Sequence, residues 1–247
     1  MLTTLTIART EARRIFVSPL AWAVLAVMQA ILGVVFLLLI LEYAQNPRGQ
    51  DKYTGLADYI GGGLYSFATI VLLLIMPILT MRLFAEERKS GSLTLLLSSP
   101  VSLIQVVLGK FLGLSVFILA TIALLASMPL VLLVGSNLDL GRIGAGLLGL
   151  TLLMMSLGAA GLFVSTLTKE PTIAAVGSFG LLLLFWMMQI LGTQHGWVGD
   201  VLGYLALVSH FESMRRGIFN SGDVVFYLLF TGLFLWLAVL RLDSERS

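Results

Sequence analysis

The chain has 247 residues, 58% of them hydrophobic before its 25 glycines are counted, and only 11% charged, with a formal net charge of +2. A soluble domain carries about 25% charged residues, so too few ionic groups are present to cover a water-exposed surface, and the chain reads as an integral membrane protein. The absence of cysteine excludes disulfides, thiolate metal sites and cysteine nucleophiles, and the near-balanced charge gives no reason to expect nucleic acid as a partner.

Residues 1–18 come first in chain order. Leu5, Ala8, Ala12 and Ile15 recur at helical spacing beside Arg9, Arg13 and Arg14. Two readings fit: an interfacial helix lying on a membrane leaflet until Pro19 turns the chain inward, or an ordinary positively charged flank. The apolar run that follows is too long for the core of a cleavable signal and lacks an obvious small-residue cleavage site, so it is expected to be a retained span.

About 20 helical residues cross the ~30 Å hydrocarbon core, and uniform apolar runs of that length must be helices rather than barrel strands. Six segments qualify: 20–41, 60–83, 111–134, 143–167, 172–191 and 224–240. The expected fold is therefore all-α, a single transmembrane domain over 1–247. Gly109 and Gly113 form a GxxxG, and Gly146, Gly149, Gly158 and Gly161 recur in the fourth span; these are read as packing sites. Pro77 and Pro129 are expected to kink the second and third spans.

An even number of spans puts both ends of the chain on one side. That side collects Arg9, Arg13, Arg14, Arg82, Arg88, Lys89, Lys110, Lys169, Arg241 and Arg246. The other side holds Arg48, Lys52, Arg142, Arg215 and Arg216, which completes the 15 lysines and arginines of the chain. Ten against five predicts cytoplasmic termini.

No catalytic constellation emerges. The two histidines, His195 and His210, are read as interfacial or hydrogen-bonding residues rather than metal ligands. Gly177-Ser178 lacks the spacing of a nucleophile elbow, and Gly109-Lys110 runs into Phe111 without the glycine of a phosphate loop. The spans carry essentially no ionisable residues, with Gln29 and Gln189 the most polar groups at mid-depth. That argues against an ion-coupled carrier and suggests that any transport is powered from elsewhere.

The most informative stretch joins the second and third spans. Glu86, Glu87, Arg88 and Lys89 end an apolar run, Ser90-Gly91 follows, and Leu93, Leu96 and Leu97 share one helical face. Ser99-Pro100 reads as the N-cap and first-turn proline of the next helix. The residues alone allow a solvated loop on the headgroups or a short amphipathic helix, 84–99, with a face left for a partner.

From Met81 to Pro100 the sequence resembles the M-R-x-F-A-E-E-R-x-x-G-T-L-E-L-L-L-x-x-P-V-S signature of ABC-2 type permeases, and the likeness continues through Gln105 to Phe111. Gly135 to Gly141, Ser165 to Thr168, and His210-Phe211-Glu212-Ser213 with Arg216-Gly217 and Asp223 extend it toward the gliding-motility-associated branch, near the nitrous-oxide-reductase maturation permeases. Ser92 stands where threonine is usual and Thr94 where an acidic residue is usual.

The resemblance implies a six-span exporter permease of the type V fold, without catalytic residues, in the bacterial inner membrane. Residues 1–18 would be the interfacial helix carrying Arg9, Arg13 and Arg14. Residues 84–99 would be the coupling helix that docks on an ATPase through Glu86, Glu87, Arg88, Lys89, Ser90, Gly91, Leu93, Leu96 and Leu97. Residues 193–223 would form an extracytoplasmic segment with re-entrant helices, holding Phe211, Glu212, Arg216 and Gly217. The implied partners are two copies of an ATP-binding-cassette ATPase, which bind the ATP and magnesium; a second permease, identical or related; membrane lipids; and an accessory extracytoplasmic protein. No cofactor is expected in this chain. Rival readings are a non-transporting scaffold of a larger assembly and a self-sufficient channel or carrier.

Overall fold

The computed structural model describes residues 2–45, 56–93, 101–132, 139–192 and 196–246. Among them every regular element is a helix: α1 (Leu2–Val17), α2 (Pro19–Gln45), α3 (Leu56–Thr80), α4 (Ala85–Lys89), α5 (Leu103–Val131), α6 (Leu140–Leu167), α7 (Pro171–Leu191), α8 (Trp197–Leu205), α9 (Leu207–Arg215) and α10 (Ser221–Arg246). Six of them, α2, α3, α5, α6, α7 and α10, are long and apolar enough to cross a membrane, as the hydropathy of the chain requires.

Helix α6 is the hub. It packs against α3, α5, α7, α9 and α10, and 67% of its spanning stretch is buried, against 22% for α2 and 17% for α7. Its glycines allow the approach: a Cβ on Gly158 would stand 3.0 Å from both Met76 Cε and Leu114 Cδ2, and one on Gly149 only 2.9 Å from Met214 Cβ. The outer faces of α2 and α7, with Val27, Val34 and Leu38 on one and Ile173, Val176 and Leu184 on the other, are exposed and apolar over their middle turns. In hydrocarbon such faces carry no penalty.

Helix α1 lies along α5. The GxxxG of α5 is the seat: a Cβ on Gly109 would come 2.7 Å from Ile7 Cγ2, and one on Gly113 2.6 Å from Glu11 Cβ and 3.0 Å from the Ala8 carbonyl oxygen. The face of α1 that meets α5 is not its most apolar one. Ala8 and Glu11 are buried, whereas Leu5 is 61% exposed, because close contact with a glycine groove favours small side chains and a carboxylate finds a partner there.

Two boundaries also differ. Helix α5 begins at Leu103, ahead of the expected Phe111, and its N-cap is Ser102, whose Oγ accepts the Gln105 N–H at 3.3 Å. The helix therefore contains Lys110, the residue just before the expected third span. Expected N-cap Ser99, with residues 94–100, lies outside the described residues. The expected helix over 84–99 is interrupted within its described part: α4 ends at Lys89, and Gly91 turns the chain with φ 75°, a conformation that glycine adopts without a side-chain clash.

Arg14 on α1 reaches Glu86 at 3.0 Å, and Arg88 on α4 reaches Glu245 in the last turn of α10 at 2.8 Å. Both ends of the chain and α4 thus meet at one end of the bundle. Helices α8 and α9, together with the first turns of α6 and α10, make up the opposite end.

Candidate functional site: the ionic junction at the α4 end

The segment Met81–Leu93 is fixed first by a serine. Ser165 on α6 is fully buried; its Oγ accepts the N–H groups of Phe84 and Ala85, each at 3.0 Å, and donates to the Met81 carbonyl at 3.1 Å. One hydroxyl so replaces the helical bonds that the chain gives up where α3 stops and α4 starts.

The four charges that follow are each tied to a different part of the molecule. Glu86 pairs with Arg14 of α1 at 3.0 Å. Glu87 accepts from Lys110 of α5 at 2.6 Å and lies 3.5 Å from Arg14. Arg88 pairs with Glu245 of α10 at 2.8 Å, and Lys89 pairs with Glu170, the residue before α7, at 2.7 Å.

Lys110 is the centre of the junction. It is 1% exposed, also donates to Glu11 of α1, and its Nζ stands 5.1 Å from the centroid of the Phe84 ring. A buried ammonium needs paired charge, and here it receives one carboxylate from α1 and one from α4. Glu11, Lys110, Ser165, Glu170 and Glu245 do not stand out as a group in the sequence. The one available signal was a lysine at the edge of an apolar run, which inside a helix demands a partner.

The expected docking residues are thereby sorted. Glu86, Glu87, Arg88 and Lys89 all hold intrachain partners, and Leu93 is buried at 4% exposure. Ser90, Gly91 and Ser92 are exposed together with the Lys89 side chain. Ser90 Oγ donates to the Glu87 carbonyl at 3.1 Å and lies 2.9 Å from Ser92 Oγ, which shapes the tip. Leu96 and Leu97 lie outside the described residues. On α1, Arg14 joins the junction, while Arg9 and Arg13 are exposed and have no ion-pair partner among the described residues.

At the opposite end, Phe211 is buried at 1% exposure, over Gly149 of α6. Glu212 accepts from Arg215 Nε at 2.8 Å and from Arg216 Nη2 at 3.1 Å. The bond from Arg215, with the charge of both arginines, holds the Glu212 carboxyl below its ordinary range against the opposing pull of partial burial. Gly217 turns the chain with φ 82°. His210 is a hydrogen-bonding residue: its ring stacks on Phe226 at 4.0 Å, Nε2 donates to the Tyr204 carbonyl at 2.8 Å, and Nδ1 meets Asp223 at 2.7 Å. Between α3, α7 and α9 a cavity of about 180 Å³ is lined by Ser66, Thr69, Trp186, Gln189 and Glu212. The cavity thus lies against the second and fifth spans, and Gln189 is on its wall. Gln29, the other mid-depth amide, donates to the Leu124 carbonyl of α5 at 3.4 Å.

A model of the ABC-2 family transporter proteins matches residues 5–243. No curated protein matches the chain.

Proposed function

The chain belongs to the ABC-2 family of transporter proteins, and on that premise we propose that it is the permease through which a separate ATP-binding-cassette ATPase pair drives export or mechanical transmission across the bacterial inner membrane. The membrane subunit supplies no catalytic group; ATP and magnesium belong to the ATPase. The observation that supports this most is the ionic junction. A solvated loop has no need of four consecutive charges bound to α1, α5, α7 and α10, whereas a segment that receives force from a partner does.

The tip Lys89–Ser92 is the exposed part of that segment and the proposed point of ATPase contact, with Leu96 and Leu97 continuing it. The termini face the cytoplasm in this reading, α8 and α9 fold back into the outer leaflet, and a second permease, identical or related, pairs with the first. The mixed polar and apolar cavity between α3, α7 and α9 then forms part of the substrate path, and an accessory extracytoplasmic protein has the α8–α9 end to engage. Branch membership follows the gliding-motility and nitrous-oxide-reductase maturation permeases.

The lack of cysteine makes the test direct. A single cysteine at Ser90, carrying a short photocrosslinker in native membranes, is expected to yield an adduct containing an ATPase, identified by its phosphate-loop peptide. The same probe at Ser221, at the other end, is expected to yield none. Equal adducts at both positions, or none at Ser90, would refute the assignment.

A further inference from the structure

A cavity of about 240 Å³ opens beside the ionic junction, between the α1–α2 elbow and the last turn of α3. Its walls are of two kinds. Leu20, Ala21, Ile78 and Leu79 form an apolar half that continues the spans; Arg14, Ser18 and Arg82 form a polar half at the charged end. Glu11 and Glu86 also face it, but Lys110 engages the first and Arg14 the second.

Arg82 is the exception in this wall. It has no carboxylate within ion-pair distance among the described residues, and residues 94–100 contain no acid that could supply one. The depth of the cavity is marked by Trp22, one residue beyond Ala21. Its ring is 59% exposed, and its Nε1 donates to the Phe16 carbonyl at 2.7 Å. An exposed indole at a span end sits at the headgroup level. An unpaired guanidinium at that depth, above an apolar slot, matches a phosphate oxygen above an acyl chain.

We propose that this cavity is a binding site for one anionic phospholipid per chain. Arg82 holds the headgroup phosphate, Ser18 faces the same polar half, and an acyl chain lies along Ile78, Leu79 and Leu20. Arg14 is fixed by Glu86 and adds field rather than a free donor. The site stands on this chain alone, so its test reads lipid retention and not ATP turnover.

The experiment is native mass spectrometry of the full chain in mild detergent with added phosphatidylglycerol, phosphatidylcholine or inorganic phosphate. One phosphatidylglycerol is expected to be retained in preference to phosphatidylcholine. Loss of a charge-assisted bond predicts that Arg82→Gln lowers retention about tenfold or more. Lys169→Gln removes an exposed cation outside the cavity, near the same end, and is expected to change little. Ile78→Trp, at the mouth, closes the apolar slot with Arg82 intact and is expected to expel the lipid as well.

Equal losses in Arg82→Gln and Lys169→Gln would overturn the proposal in favour of a diffuse surface field. Equal retention of the two lipids, retention unchanged in both Arg82→Gln and Ile78→Trp, or full displacement by inorganic phosphate would overturn it too, the last pointing to a soluble anion.

Discussion

Replacing Lys110 with methionine removes the buried cation shared by Glu11 and Glu87. At the 2.6 Å separation from Glu87, with an effective dielectric constant of about 20, the pair attraction is on the order of 6 kcal/mol. Desolvation costs several kcal/mol for each ion, so the intact junction contributes little net stability. Losing one partner is different, because a buried carboxylate left unpaired destabilises by about 3–5 kcal/mol. Arg14 lies 4.0 Å from Glu11 and 3.5 Å from Glu87, and offsets part of this. The expected loss for Lys110→Met is therefore about 3 kcal/mol, at the lower end of that range. An SDS titration of the protein in mixed micelles, followed by tryptophan fluorescence, measures it. The triple variant Lys110→Met, Glu11→Gln, Glu87→Gln removes the unpaired charges and is expected to return to within about 1 kcal/mol of the parent. A single variant as stable as the parent, or a triple variant no better than the single one, would refute the reasoning.

Ser165→Ala is expected to cost about 2–4 kcal/mol, since it leaves the buried N–H groups of Phe84 and Ala85 without an acceptor; the same titration reads it. Gly109→Val places side-chain atoms where Ile7 and the Thr4 carbonyl oxygen stand, so α1 should leave its groove. Limited trypsin digestion should then cut after Arg13 and Arg14 faster than in the parent. The Glu212 carboxyl is held low by Arg215 and Arg216, so its stabilising effect is present above the ordinary carboxyl range and is lost as pH falls through the lowered folded-state value. With the side chain 33% exposed, the effect is screened to under about 1 kcal/mol. Glu212→Gln should therefore lower stability at neutral pH by that amount, flatten the acid limb of a stability–pH curve, and leave stability below the lowered folded-state value little changed.

The six spans were legible because each is a long apolar run, and hydrocarbon leaves such a run no alternative to a helix. The limits of α5 were less so. Lys110 looks like the edge of a span when only neighbours in sequence are considered, yet it sits inside the helix because Glu11 and Glu87 come to it from α1 and α4. No local period can announce a pairing between residues so far apart in the chain. Helix α1 shows the same limit: its apolar spacing was legible, but the groove at Gly109 and Gly113 that seats Ile7, Ala8 and Glu11 was not. The charged run Glu86–Lys89 was visible as a feature. Its partners were not, and an exposed docking face was the natural reading of charges that are in fact already engaged.

The arrangement of those partners bears on how motion travels. Four consecutive residues of α4 hold α1, α5, the start of α7 and the end of α10, and Ser165 anchors the preceding turn to α6. A push on the tip at Lys89–Ser92 cannot load one helix alone. The bonds lead from that segment to five helices, α1, α5, α6, α7 and α10, at their neighbouring ends. Helix α2 is not tied to α4 by these bonds; it follows α1 through the elbow at Ser18 and Pro19. That elbow is itself braced, with the Ser18 N–H donating to the Ile15 carbonyl at 3.1 Å and Trp22 Nε1 to the Phe16 carbonyl at 2.7 Å, so the start of α2 is held to the end of α1.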